Sequence, residues 1–210
     1  MRVGNLPGIR RLPVYLDILR KLRESGTETV SAHILAVEAG LLVSGVRKDL
    51  EMTGATGKTG VGFSIDSLVA SIETFLGWDN PYQAFLAGAG NLGSALLGYE
   101  GFRNHGLHIV AAFDVNPGVI GRIVHDVKVW PLDELCGLAQ RLHVNTGIIT
   151  VPSSQAQSVA DLFVTAGITR IWSFAPEILR VPSNVIVQRE DLAAGLAELL
   201  VRSARRRVKI

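Results

Sequence analysis

The spacing of apolar residues changes character near residue 80. Before that point the rhythm is helical. Tyr15, Ile18, Leu19 and Leu22 fall at i, i+3, i+4 and i+7, one face of a helix. Leu12-Pro13 leads into it, and Glu24-Ser25-Gly26 stops it. A second helix is predicted over 33–38, with Ser31 as its N-cap and Ala39-Gly40 as its break. A third runs over 44–52. Gly54, Gly57, Gly60 and Gly62 then surround Lys58 and lead into Phe63. Three short helices followed by a glycine-rich basic hairpin outline a winged helix-turn-helix.

After Pro81 short apolar runs alternate with helical stretches. Ala84-Phe85-Leu86-Ala87, Ile109-Val110-Ala111-Ala112-Phe113, Val127-Lys128-Val129-Trp130, Ile148-Ile149-Thr150-Val151, 168–174 and Val185-Ile186-Val187 read as strands. Helices are predicted over 132–142 and 154–166, and a last one from Asp191 to about Arg207. Near-continuous apolar strands separated by helices imply a parallel sheet covered on both faces. The expected class is α/β: a winged helix-turn-helix domain over 1–80, a Rossmann-type parallel sheet domain over 81–190 and a C-terminal dimerising helix over 191–210.

Composition narrows this picture. Of 210 residues, 48% are hydrophobic and 19% charged, ample for a core and unlike a disordered chain. The single cysteine, Cys136, excludes a disulfide framework and a cysteine-rich zinc site, and no metal is expected. Arg10, Arg11 and Pro13 interrupt any apolar leader, so no signal peptide is read, and a cytoplasmic setting is expected. Residues 80–99 carry no charge, yet Asn80, Gln83, Asn91 and several glycines favour a buried strand, turn and helix over a membrane span.

The sharpest motif is Gly88-Ala89-Gly90-Asn91-Leu92-Gly93. It follows a strand and opens a helix, the context a dinucleotide fingerprint requires. The first glycine permits the tight turn, the second lets backbone approach a pyrophosphate, and the third lets helix and strand pack closely. Asp114 lies 114 − 93 = 21 residues beyond the last glycine, at the end of the next strand. Its carboxylate suits an adenosine ribose and repels a 2′-phosphate, which favours NAD(H) over NADP(H). Val115 and Asn116 follow it. Val151-Pro152 and Phe174-Ala175-Pro176 end later strands and are candidates for the nicotinamide side; ordinary strand-to-loop packing explains them equally well.

In the third helix Ser44, Arg47 and Lys48 are candidate DNA contacts, with Val46 and Leu50 turned to the core. Lys58 suits a wing tip near a phosphate backbone, and Arg10 and Arg11, just ahead of the first helix, can add phosphate contacts. Residues 1–63 hold nine basic and six acidic residues, a net of 9 − 6 = +3, and Glu51 sits close to the same face. Charge alone fits a solvated mixed-charge helix better; the helix-turn-helix outline and the wing shift the balance toward DNA.

These segments, taken in order, resemble the Rex family of redox-sensing transcriptional repressors over essentially the whole chain. The resemblance rests on Arg11-Leu12-Pro13-Val14-Tyr15, Val46-Arg47-Lys48-Asp49-Leu50 and the run from Gly54 to Phe63. It continues through Gly90-Asn91-Leu92-Gly93-Ser94-Ala95-Leu96 with Tyr99 and Phe102, then Ala112-Phe113-Asp114-Val115-Asn116-Pro117, Thr150-Val151-Pro152 with Ala156-Gln157, Phe174-Ala175-Pro176 and Asp191-Leu192. It implies a homodimer that binds an inverted-repeat operator when NADH is scarce and releases it when NADH rises. It also implies a last helix exchanged between subunits. A linking cluster of arginine, tyrosine and aspartate is expected in that family; Tyr99 and Asp191 match it, while Asp17 stands at the arginine position. Glu51-Met52-Thr53-Gly54 replaces the family's usual Ser-Tyr-Phe-Gly.

Two other classes fit parts of the chain. An oxidoreductase needs a substrate domain and a polarising His, Lys or Tyr at the strand ends; His33, His105, His108, His125 and His143 sit elsewhere, and Cys136 has no activating neighbour. A CoA- or nucleotide-binding regulatory module without DNA binding is the other. The expectation is therefore a repressor and not an enzyme.

Overall fold

The structure, a computed structural model, describes residues 6–207; for Leu192, Arg202 and 205–207 only the backbone is described. The chain divides into two units after Asn80, each with its own core.

In the first unit α1 (Leu6–Glu24) is followed by β1 (Thr29–Val30), α2 (Ala32–Ala39), α3 (Val43–Met52), β2 (Phe63–Ser64) and α4 (Ile65–Leu76). The first helix begins more than a turn before Leu12-Pro13, so Pro13 lies inside it, and Arg10 and Arg11 are helical rather than ahead of the helix. Pro7, in the first turn, lacks only an N–H that has no partner there. The lost bond at Pro13 is outweighed by one continuous buried face, Gly8, Leu12, Tyr15, Leu16 and Leu19. Burying each such leucine contributes roughly 1.5–3 kcal/mol.

Ser31 caps α2 as expected, its hydroxyl accepting from the Ile34 N–H at 3.2 Å. A fourth helix, α4, completes the core with Ile65, Leu68, Val69 and Ile72. They interlock with Leu35, Val46 and Leu50 from α2 and α3. The two short strands pair antiparallel, Val30 opposite Phe63. They anchor a hairpin in which Lys58 and Gly62 exchange backbone bonds of 2.8 and 2.9 Å.

The second unit is a seven-stranded sheet. Its strands are β3 (Tyr82–Ala87), β4 (Leu107–Asp114), β5 (Ile123–Val124), β6 (Val127–Pro131), β7 (Thr146–Ile149), β8 (Arg170–Ser173) and β9 (Ile186–Arg189). Their order is β5-β6-β4-β3-β7-β8-β9. All pairings are parallel except the β5–β6 hairpin, whose turn residues His125 and Asp126 both take positive φ.

One face packs on α7 (Leu135–Leu142) and α8 (Ser153–Thr165): Phe85, Ala87, Phe113, Ile149 and Ile171 meet Leu135, Leu138, Val159 and Phe163. The other, with Leu86, Ala112 and Ile148, meets Leu97 of α5 (Asn91–Leu97) and Phe102 of α6 (Glu100–Asn104). A single 3₁₀ turn at Leu132–Glu134 precedes α7. The last helix is α9 (Leu192–Arg207). Strand order reverses at β3, whose neighbours lead away in opposite directions. Open α/β sheets form their ligand crevice beyond the strand carboxyl ends at such a point.

Candidate functional site

The crevice at that reversal is a cavity of about 240 Å³. Gly88 and Gly90 from the end of β3, Phe113, Asp114, Val115 and Asn116 from β4, and Thr150, Val151 and Pro152 from β7 line it, with Leu132, Gln155 and Val159 behind. The three loop glycines differ in what a side chain would meet. Gly88 has φ +102°, and a Cβ there would stand 2.8 Å from the Thr150 carbonyl carbon. A Cβ on Gly93 would stand 1.9 Å from the Gly88 carbonyl oxygen, so α5 crosses the loop at backbone contact. At Gly90 a Cβ would meet nothing within 4 Å, so the packing of the fold does not itself require a glycine there.

Asp114 joins the crevice together. Its Oδ2 accepts the Ala89 N–H at 2.7 Å and its Oδ1 accepts the Asn116 N–H at 2.8 Å. Ala89 thus fixes the loop to the end of β4, and Asn91 and Leu92 open α5 beyond it, where the first helical N–H groups have no intrahelical acceptor. The Thr150 hydroxyl holds the other wall, within bonding distance of the Ala87 and Gly88 carbonyls at 3.0 and 2.8 Å. Sequence reasoning gave Thr150, Gln155 and Phe113 no site role. Thr150 sits in the Thr150-Val151-Pro152 run, but only the pairing of β7 with β3 brings its hydroxyl to the Ala87 and Gly88 carbonyls; Gln155 lines the cavity from α8.

Phe174 does not line this cavity. Strand alternation puts Trp172 and Phe174 on the opposite face of the sheet, where they pack at 5.0 Å between ring centroids. Trp172 meets Phe102 edge-on at 5.4 Å, and Phe102 meets Tyr99 at 4.9 Å. The Trp172 indole N–H donates to Glu190 at 3.2 Å. An aromatic series therefore runs from Tyr99 to the residue before Asp191, and nothing in the sequence pattern announced it. Tyr99 itself is exposed. Asp191 is exposed too and acts at the start of α9, its Oδ1 accepting the Ala193 N–H at 3.0 Å.

In the first unit Ser44, Arg47 and Lys48 share the outer face of α3, all exposed, while Val46, Asp49 and Leu50 are buried. Arg47, Glu51 and Lys58 line a groove of about 480 Å³ between α3 and the hairpin. Arg10 is exposed. Arg11 instead forms a two-pronged ion pair with Asp49, Nε and Nη2 each 2.7 Å from a carboxylate oxygen. The Tyr15 hydroxyl donates to the same carboxylate at 2.8 Å. Asp49 raises the Arg11 pKa above its already high value, first by the hydrogen bond. Burial, then the bond to Asp49, pushes the Tyr15 hydroxyl up to about 12. Asp17 is exposed on α1; Arg20, one turn on, is held by Glu73 of α4 at 3.0 Å. Among the described residues no group of His, Cys, Asp and Glu could hold a metal ion, and no helix is long and apolar enough to cross a membrane.

Two family models match the two units separately: a putative DNA-binding protein N-terminus over residues 6–51 and a CoA binding domain over residues 79–177. Whole-chain comparisons go further. The redox-sensing transcriptional repressor Rex of Treponema denticola is 43% identical over 198 residues, 94% of each chain. That of Bacteroides fragilis is 39% identical over 196 residues, 93% of this chain and 89% of the relative. The chain belongs to the Rex family. Its fold is that of RSP, a Rex-family repressor. The crystal structure of RSP with β-NAD+ and operator DNA superposes with a TM-score of 0.89 at 32% identity, covering 99% of this chain and 96% of that one. The RSP complex with β-NADH gives a TM-score of 0.88 at 30% identity, covering 99% and 98%. The α/β architecture, with DNA-binding helices before a Rossmann-type sheet, is thus that of a Rex repressor. Rex proteins are named as transcriptional repressors and not as enzymes.

Proposed function

We infer that this chain is a redox-sensing repressor: it binds operator DNA through its first unit and NAD(H) through its second, and it lets go of the operator when NADH rises relative to NAD+. One observation carries this most directly: the relatives match both units in one chain, where a CoA- or nucleotide-binding module or a small oxidoreductase would need only the second. The loop fits the dinucleotide, because Gly90 leaves open the approach a pyrophosphate needs and Asp114 presents a carboxylate at the ribose position. Gly88, Ala89, Gly90, Asn91, Leu92 and Gly93 cradle the phosphates, Asp114, Val115 and Asn116 hold the adenosine, and Val151 and Pro152 form the wall beyond. Phe174, packed on the opposite face of the sheet, is left out of the site. The dinucleotide supplies a redox signal and undergoes no turnover.

Arg47, Lys48 and Ser44 face the major groove, while Lys58 and Arg10 meet phosphates. The operator is an inverted repeat because the working form is a homodimer. Leu196, Leu199, Leu200 and Val201 of α9 are each more than half exposed, a stripe suited to a second subunit; the Leu192 side chain lies outside those described. Tyr99, Asp191 and position 17 belong to the switch. The cytoplasm, where DNA and the NADH pool meet, is its place of work. Operator binding titrated with NADH, with NAD+ as competitor, tests the whole. Release by NADH that NAD+ reverses is expected; operator affinity indifferent to both overturns it.

A further inference from the structure

Asp49 is a carboxylate with no exposed surface, set on the helix that presents Arg47 and Lys48. A buried carboxylate is costly unless its oxygens are paired. Here they take the fork of Arg11 and the hydroxyl of Tyr15, and both of these residues come from α1. Arg11 and Tyr15 are four apart, one helical turn, so they grip Asp49 from adjacent positions on one face. The three bonds fix both the sliding and the rotation of α3 against α1. A shift of α3 by half an ångström would strain a two-pronged bond whose geometry is directional. Apolar contacts between Leu12, Val46 and Leu50 tolerate such a shift more easily, since they have no preferred angle.

We propose that Arg11 and Tyr15 are positioning residues for operator recognition: they act through Asp49 to hold the angle at which α3 offers Ser44, Arg47 and Lys48 to the base edges, and Arg11 does not serve as a phosphate contact. This rests on the repressor reading. Asp49 neutralises the Arg11 charge and occupies the Nε edge of its guanidinium, leaving little attraction for a phosphate. The residues that read bases then depend on a pair that touches none.

Arg11→Lys separates the two roles, because lysine keeps the charge and loses the fork. The probe is a duplex selected from a randomised pool by the unmodified full-length protein, with a random duplex of equal length beside it. Positioning predicts that Arg11→Lys weakens the selected duplex about tenfold, leaves the random duplex unchanged, and keeps the slope of log affinity against log salt. Tyr15→Phe, which removes one bond and little volume, is expected to move the ratio the same way and stands in if the lysine variant fails to fold. A phosphate role predicts instead that Arg11→Lys binds like the parent and that Arg11→Gln weakens both duplexes and lowers the salt slope by about one. That result overturns the inference, as does an unchanged ratio in Tyr15→Phe. Failure of the unmodified protein to select any duplex overturns the repressor reading and this inference with it.

Discussion

Replacing Asp114 by alanine is the most informative single perturbation of the nucleotide site. A carboxylate offers about four acceptor positions. Two are taken by the Ala89 and Asn116 N–H groups at 2.7 and 2.8 Å, which leaves two for the vicinal hydroxyls of an adenosine ribose. A hydrogen bond to a charged group is worth roughly 1.5–3 kcal/mol. Losing two at the lower value costs about 3 kcal/mol, a little over a hundredfold in NADH affinity. For NADPH the sign reverses. A 2′-phosphate carries about −1.5 to −2 charges; at roughly 5 Å and an effective dielectric near 20, each unit repels the carboxylate by about 3 kcal/mol. The unmodified protein is expected to prefer NADH over NADPH by at least about two orders of magnitude. Asp114→Ala should bring the two within about tenfold of each other, by weakening NADH and relieving NADPH. Isothermal calorimetry with each dinucleotide measures both affinities, and a thermal scan checks that the loop still folds. Equal binding of NADH and NADPH by the parent, or a preference that survives Asp114→Ala intact, refutes the ribose assignment.

The glycines make a paired test: Gly90→Ala should keep the melting temperature and lose NADH affinity in calorimetry, whereas Gly93→Ala, with a Cβ 1.9 Å from the Gly88 oxygen, should lower both. Tyr15, raised by burial and then by its bond to Asp49 to about 12 from 10, contributes stability that is fully present below pH 10 and is lost as pH rises through about 12. A shift of that size is worth roughly 2–3 kcal/mol, so urea unfolding of the parent should weaken over that window more than that of Tyr15→Phe; parallel pH profiles would refute it. Removing residues 191–210 should give monomers or aggregates with poor operator binding, read by sedimentation; a soluble monomer that binds DNA fully would refute the dimer role of α9. Asp17→Arg puts back the cation that the proposed switch has at this position and that Arg20, already held by Glu73, is not free to replace. It should raise the NADH needed for half-release by about tenfold, and an unchanged midpoint removes position 17 from the switch.

Much of this molecule was legible in one dimension, for definable reasons. The strands β3, β4 and β7 carry near-continuous apolar runs, the pattern of parallel strands covered on both faces. Gly88, Gly93 and Asp114 were legible because their chemistry is local to one turn and one strand end. Pro13 misled because local propensity argues for a helix start, while the buried face from Gly8 to Leu19 decides it. The helix α4 lies outside the expected three although Ile65, Leu68, Val69 and Ile72 have helical spacing, because the glycine run that ends at Gly62, just before it, marks a turn rather than a helix start. Asp49 carried a signal that was missed: it lies three residues after Val46, beside Leu50, on the buried face, so it demanded a partner. Its partner Arg11 is 38 positions away, and no spacing rule reaches that far. Thr150 and Trp172 likewise acquire their neighbours only when the strand order is known.

The aromatic series between Tyr99 and Glu190 has an optical consequence. Trp172 sits inside it, with Phe174 on one side and Phe102 on the other, and tryptophan emits at wavelengths where reduced nicotinamide absorbs and oxidised nicotinamide does not. Only Trp78 and Trp130 accompany it in the chain. A form carrying Trp78→Phe and Trp130→Phe keeps one tryptophan, joined through Phe102 to Tyr99 and through its indole N–H to Glu190, the neighbour of Asp191. Excited at the tryptophan band, its emission should be quenched by energy transfer to bound NADH and spared by NAD+, so the redox state of the bound cofactor can be read in one cuvette without DNA or label.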